Sequence, residues 1–161
     1  MDDRLVGGCA CGAVRYRLLS PPMFVHCCHC RDCQRQVGSG FVINGLIEAD
    51  RIALLSGALT ASELPTASGR PHDVYRCPVC QTAMWSDYGR RPYLRFVRLC
   101  TLDAGPPVDP DVHIFTRSKL PWVSLPKDAR VFQEFYDMRS EWPADALARR
   151  QAASEASRAA G

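Results

Sequence analysis

The fold class this sequence predicts is mainly β: small packed sheets with short helical turns and a C-terminal helical tail. Three observations carry that expectation. Val14, Tyr16 and Leu18 alternate with Arg15 and Arg17, the period of a half-buried strand. Further short runs of β-branched and aromatic residues recur along the chain. Pro, Gly, Asn and Ser punctuate those runs at short intervals, as in folds made of many brief strands.

Taken in chain order, the alternating segment around Tyr16 is followed by Pro21-Pro22 and a candidate strand over 24–28. A short helical turn is expected over 31–36, then strands over 41–47 and 51–55, with Asn44-Gly45 and Ser56-Gly57 read as turn signals. Ser68-Gly69-Arg70-Pro71 precedes a strand over 74–76, and Ala104-Gly105-Pro106-Pro107 separates strands over 93–99 and 113–115. From Trp142-Pro143 onward the chain is rich in Ala, Arg, Ser and Glu, and no large apolar residue follows Leu147. Pro143 suits the first turn of a helix and Ala favours its continuation. Lacking an apolar stripe, residues 141–161 are expected to form an exposed or frayed tail on a domain spanning residues 1–140.

Composition bounds the function. A chain of 161 residues, 47% hydrophobic and 23% charged, fits one globular domain and excludes disordered, collagenous and repeat architectures. No uncharged run approaches the roughly 20 apolar residues a membrane helix needs. Met1-Asp2-Asp3-Arg4 lacks the basic start of a secretory signal, so a cytoplasmic location is expected, with no membrane partner. The formal charge is +3, and the basic pairs Arg90-Arg91 and Arg149-Arg150 are not interleaved with aromatics as a nucleic-acid track would be. The oligomeric state has no signature in the pattern.

Cysteine usage is the outlier, with nine residues. An odd count, no export signal and spacings of two and three argue for metal ligation over disulfides. Cys9 and Cys11 share one face of an extended segment, and Cys77-Pro78-Val79-Cys80 has the knuckle spacing of structural zinc sites. Together they supply the four thiolates of a closed tetrahedral site. Cys28 and Cys30 likewise share a face, and a turn opened by Arg31-Asp32 would bring Cys33 round to them. Three thiolates leave a position open to water or substrate. Cys27 and His29 point to the opposite face, while Cys100 stays open as a fourth ligand. Cys27 and Cys100 are otherwise expected as small buried hydrophobes. His26, His72 and His113 are expected as isolated residues, Trp85 and Trp122 as core or pocket wall, and His29 as a possible proton carrier near the open site.

In this order, these residues resemble the glutathione-dependent formaldehyde-activating enzyme (GFA) family, which includes centromere protein V relatives. The likeness runs through residues 7–16, Cys28-His29-Cys30-Arg31-Asp32-Cys33, Arg76-Cys77-Pro78-Val79-Cys80, Thr101-Leu102-Asp103, His113-Ile114-Phe115 and Ser118-Lys119-Leu120-Pro121-Trp122, over roughly residues 4 to 135. It implies a zinc-binding β-tent of small antiparallel sheets and two zinc ions per chain. Cys9, Cys11, Cys77 and Cys80 would hold a structural ion, and Cys28, Cys30 and Cys33 a catalytic one. The chain departs from the family pattern at Gln81 and Cys100, where glycine is common; Gln81 is expected to strain the knuckle while sparing every ligand.

The chemistry the resemblance implies is that of a carbon-sulfur lyase joining glutathione to formaldehyde as S-hydroxymethylglutathione. The donor set agrees with it. A three-thiolate ion has muted Lewis acidity, which suits deprotonating a soft sulfur better than making hydroxide from water. The expected partners are therefore a small-molecule thiol and an aldehyde, with Arg31, Arg35 and Lys119 as candidates for glutathione's carboxylates. The alternative is a non-catalytic zinc-stabilised binding module. A thiol-disulfide oxidoreductase using Cys77 and Cys80 would need a βαβ setting that the sequence lacks.

Overall fold

The computed structural model describes residues 3–160. Ten strands and three α-helices follow the chain: β1 Val6–Gly8, β2 Arg15–Leu18, β3 Phe24–Cys28, α1 Arg31–Val37, β4 Val42–Glu48, β5 Ile52–Ser56, β6 Thr60–Glu63, β7 His72–Arg76, β8 Ala83–Tyr88, β9 Leu94–Arg98, β10 Val112–Ile114, α2 Met138–Glu141 and α3 Ala144–Ala159. The mainly β expectation is borne out. A three-stranded sheet runs β1-β2-β5, and a seven-stranded sheet runs β10-β3-β4-β9-β8-β7-β6. Every pairing is antiparallel except β10 with β3 at the edge of the large sheet.

In β2, Tyr16 and Leu18 are buried while Arg15 and Arg17 are half-exposed, as their alternation predicts. Three strands escaped the sequence pattern for physical reasons. β8 buries four successive residues, Met84 to Asp87, so it has no alternation to read. β6 is an edge strand exposed throughout. β1 contains Gly7-Gly8, whose role is close approach: a Cβ on Gly7 would lie 2.4 Å from the Thr101 carbonyl oxygen. Asn44-Gly45 makes no turn. β4 runs through it, and Gly45 is small because a Cβ there would press on Leu99 at 2.7 Å and Pro22 at 2.9 Å.

Two apolar cores cover the faces of the large sheet. One lies towards the three-stranded sheet, with Val14, Tyr16, Leu18, Ile47, Met84, Trp85, Val97 and Leu99, and Tyr16 meets Trp85 edge-on at 5.7 Å. The other gathers Phe24, Leu46, Leu94, Val112, Tyr136, Trp142 and Ala146. Residues 24–28 are consequently buried on both sides. The expectation that nothing ties down the C-terminal helix is corrected by this second core. Trp142 stacks on Phe24 at 5.0 Å and donates its indole N–H to the Tyr136 hydroxyl at 2.7 Å. Arg149 then grips the buried Glu48 with two hydrogen bonds of 2.8 and 2.7 Å. Anchoring came from three residues instead of a stripe, so periodicity could not show it. Among the described residues no helix is long and apolar enough to cross a membrane.

Burial alone would raise the pKa of Glu48, but the bonds from Arg149 outweigh it and hold the carboxyl below its ordinary value. A group lowered on folding contributes stability above its unfolded pKa and loses it as pH falls through the folded value. Glu48→Gln is expected to lower stability by about 1–3 kcal/mol at pH 7 and to flatten the decline of the melting temperature below about pH 4.5. An acid limb as steep as the parent's, read by thermal denaturation across pH, would contradict this.

Candidate functional site

Two groups of thiols converge. Cys9 follows β1 in a loop closed by its N–H to the Val14 carbonyl, and Cys77 directly follows β7, where its carbonyl accepts from Gln81 N–H at 3.0 Å. The sulfurs of Cys9, Cys11, Cys77 and Cys80 all lie within 4.8 Å of one another. Cys9 to Cys11 is 3.5 Å and Cys11 to Cys77 is 3.8 Å. Sulfurs around a tetrahedral zinc with bonds of about 2.3 Å stand about 3.8 Å apart, so the donor set and its spacing both fit that ion. Hydrogen bonds from the Thr82 hydroxyl and backbone N–H pull the Cys80 pKa down to about 5, pre-forming one thiolate. Gln81 sits in the left-handed region with φ 61°, as the missing glycine led us to expect. Its side chain donates to the Pro78 carbonyl at 3.1 Å and its own carbonyl accepts from Arg76 at 3.1 Å.

The second group joins Cys28, the last residue of β3, to Cys30 and Cys33 at the start of α1, again with all sulfurs within 4.8 Å. Cys30 is the N-cap, its sulfur accepting from Cys33 N–H at 3.4 Å. Hydrogen bonds from Cys28 first, then Cys33, draw the Cys30 pKa down to about 2, and donating that bond drives Cys28 upward. Among the described residues no fourth His, Cys, Asp or Glu joins this group. The trio is compatible with a zinc ion that keeps one position open.

Arg98, absent from the sequence reading, belongs to this neighbourhood. Strand register places it opposite Asn44, on the face of the large sheet that carries Cys28. It is 4% exposed, bonded to Asn44, and donates to Gln36 of α1 at 3.2 Å. Burial lowers its pKa, and the nearby Cys33 and Cys28 thiols oppose that fall. Only three-dimensional register reveals this; in sequence Arg98 is one of many arginines.

Other expected site residues are placed differently. Cys100 is exposed and joins neither thiol group. His29 turns away from the trio, as alternation requires, and meets Cys27 and His113, so neither Cys27 nor His113 stands alone. His26 is bonded to the Tyr136 hydroxyl. Trp85 is core, but Trp122 is 72% exposed. Arg31 binds Gln34, Arg35 is exposed, and Lys119 donates to the carbonyls of Leu120 at 3.2 Å and Val123 at 2.6 Å.

Fold and thiols together define a mainly β protein with two cysteine clusters compatible with metal binding. The sequence profile of the glutathione-dependent formaldehyde-activating enzymes matches residues 4–118, and the chain belongs to that family. It is 31% identical over 126 residues to a Halomonas elongata protein named "Putative glutathione-dependent formaldehyde-activating enzyme", covering 75% of this chain and 80% of that one. A crystal structure of a Rhodobacter sphaeroides protein is similar with a TM-score of 0.48 at 23% identity, covering 65% of this chain and 91% of that one.

The strained knuckle gives a direct check. Gln81→Gly relieves a left-handed non-glycine residue and is expected to stabilise the protein by about 0.5–1 kcal/mol, the side-chain bond to Pro78 being a minor loss. A lower denaturation midpoint for the variant would show that the Gln81 contacts outweigh the strain.

Proposed function

We propose that this chain joins a thiol, glutathione in the first instance, to formaldehyde or another small aldehyde, or runs the reverse cleavage as a carbon-sulfur lyase. The observation that carries the reading is the three-donor group of Cys28, Cys30 and Cys33. Family membership and the name of the Halomonas elongata relative support the substrate pair. Nine free cysteines suit a reducing, cytoplasmic setting.

In this reading Cys28, Cys30 and Cys33 hold a catalytic zinc, and Cys9, Cys11, Cys77 and Cys80 a structural one. Zinc held there would supply a positive centre that lowers a substrate thiol's pKa towards neutrality; the thiol then adds across the aldehyde C=O, sulfur to carbon and its proton to oxygen. The protein's own groups set the charge balance. Three thiolates around a divalent cation sum to one negative charge, and the buried Arg98 guanidinium offsets it, which eases the approach of a further anionic sulfur. Asn44 and Gln36 fix Arg98 in place. At the N-terminus of α1 the Cys33 backbone N–H donates to the Cys30 sulfur, which adds to its stabilisation as thiolate.

Cys30→Ser is expected to abolish acceleration of S-hydroxymethylglutathione formation over the spontaneous reaction, a loss of at least 100-fold, by analogy with removal of one group from a catalytic unit. Its melting temperature should stay near the parent's, because the four-thiol group is untouched. Undiminished acceleration, followed by NMR of mixed glutathione and formaldehyde, would sink the proposal. A parent protein with no acceleration at all would favour the zinc-stabilised binding module.

A further inference from the structure

Strand β3 has a second chemical face. The parallel register of β10 with β3 sets His113 beside Cys27, and His29, one residue past the strand, is held there by its N–H to the Ile114 carbonyl at 3.0 Å. The result is a Cys-His-His group, all three residues buried, whose ligand atoms lie within 4.8 Å of one another. The Cys27 sulfur is 3.5 Å from His29 Nε2, and His29 Nε2 is 3.2 Å from His113 Nδ1. A tetrahedral zinc with Zn–N of about 2.0–2.1 Å and Zn–S of about 2.3 Å sets N···N near 3.3 Å and N···S near 3.5 Å. The observed separations match both edges.

His29 is fully buried, and its Nδ1 has no hydrogen-bond partner among the described residues. Its Nε2 faces Cys27 and His113, so ligation through that nitrogen requires the neutral tautomer with its proton on Nδ1. All three residues also line a cavity of about 400 Å³, whose wall includes Asp109, Asp111, Asp128 and Arg130. The cavity gives an entry path and room for a fourth, exchangeable ligand, and its three carboxylates favour the arrival of a cation.

We propose that Cys27, His29 and His113 form a metal site of their own, taking a borderline divalent d-block ion such as zinc through one sulfur and two nitrogens, with the open position facing the cavity. Mixed imidazole-thiolate sets select zinc, cobalt and copper over magnesium or calcium. The site lies on the face of β3 opposite the Cys28 group and shares no ligand with it, so it does not depend on the proposed reaction.

Because both other groups contain only cysteine, imidazole is a signature unique to this one. The test is zinc K-edge X-ray absorption and metal counting on the full-length, zinc-loaded protein. The expected result is imidazole scattering together with one zinc equivalent that disappears, along with that scattering, in His113→Ala and in the small-for-small variant Cys27→Ala. Circular dichroism verifies that each variant is folded, and should His113→Ala unfold, Cys27→Ala carries the comparison. A zinc-loaded parent with sulfur and oxygen scattering but no imidazole would overturn the proposal, as would a folded variant that retains the parent's signal and stoichiometry. Imidazole scattering with the Cys28 group empty would uphold this site while removing support from the proposed lyase reaction.

Discussion

The convergence of Cys9, Cys11, Cys77 and Cys80 is the constraint on which the rest of the structure depends. Cys11 and Cys77 are 66 residues apart in the chain, yet their sulfurs are 3.8 Å apart in space. One pair follows the first strand of the small sheet and the other follows β7 of the large sheet, so the group ties the two sheets together. The core between them, with Tyr16 against Trp85, is closed at one end by these thiols. The small sheet has only three strands. A metal joining it to the large sheet would add stability that its own burial could not supply.

With the sheets fixed, β3 becomes the strand where the chemistry divides. It is buried on both faces, and its alternation sends Cys28 towards α1 and Arg98, and Cys27 towards β10 and the cavity. Cys30 then serves twice, as a member of the thiol trio and as the N-cap of α1. Local helix formation therefore positions a site residue, and ligation there would stabilise the helix start in turn. Arg98 extends the same economy across the sheet, since the pairing of β4 with β9 delivers a buried cation to the neighbourhood of the thiol trio.

The legible parts of this molecule were those with a period or a spacing. The alternation around Tyr16, the run at 24–28 and the cysteine intervals pointed to β2, β3 and both thiol groups, and the Cys28 group came together around α1 much as its spacing suggested. What stayed hidden depended on contacts far apart in sequence. β8 packs on both faces and so lacks a pattern. Gly45 is a packing residue that resembles a turn residue in sequence. The tail is secured by Trp142, Ala146 and Arg149, three contacts that no helical stripe announces. Cys27, His29 and His113 meet only because β10 pairs with β3 in parallel, a register that no local signal encodes.

The central claim, that the four-thiol group clamps the two sheets through a metal, is open to one direct measurement. Structural zinc contributes about 10–16 kcal/mol in small zinc domains, comparable with or above the roughly 5–15 kcal/mol net stability of a typical domain. Thermal unfolding followed by near-ultraviolet circular dichroism, which senses Tyr16 and Trp85, should be compared with and without strong chelation. The account predicts that metal removal abolishes the cooperative transition or lowers its midpoint by tens of degrees. An unchanged midpoint with the aromatic signal intact, in protein shown to be free of metal, would contradict it.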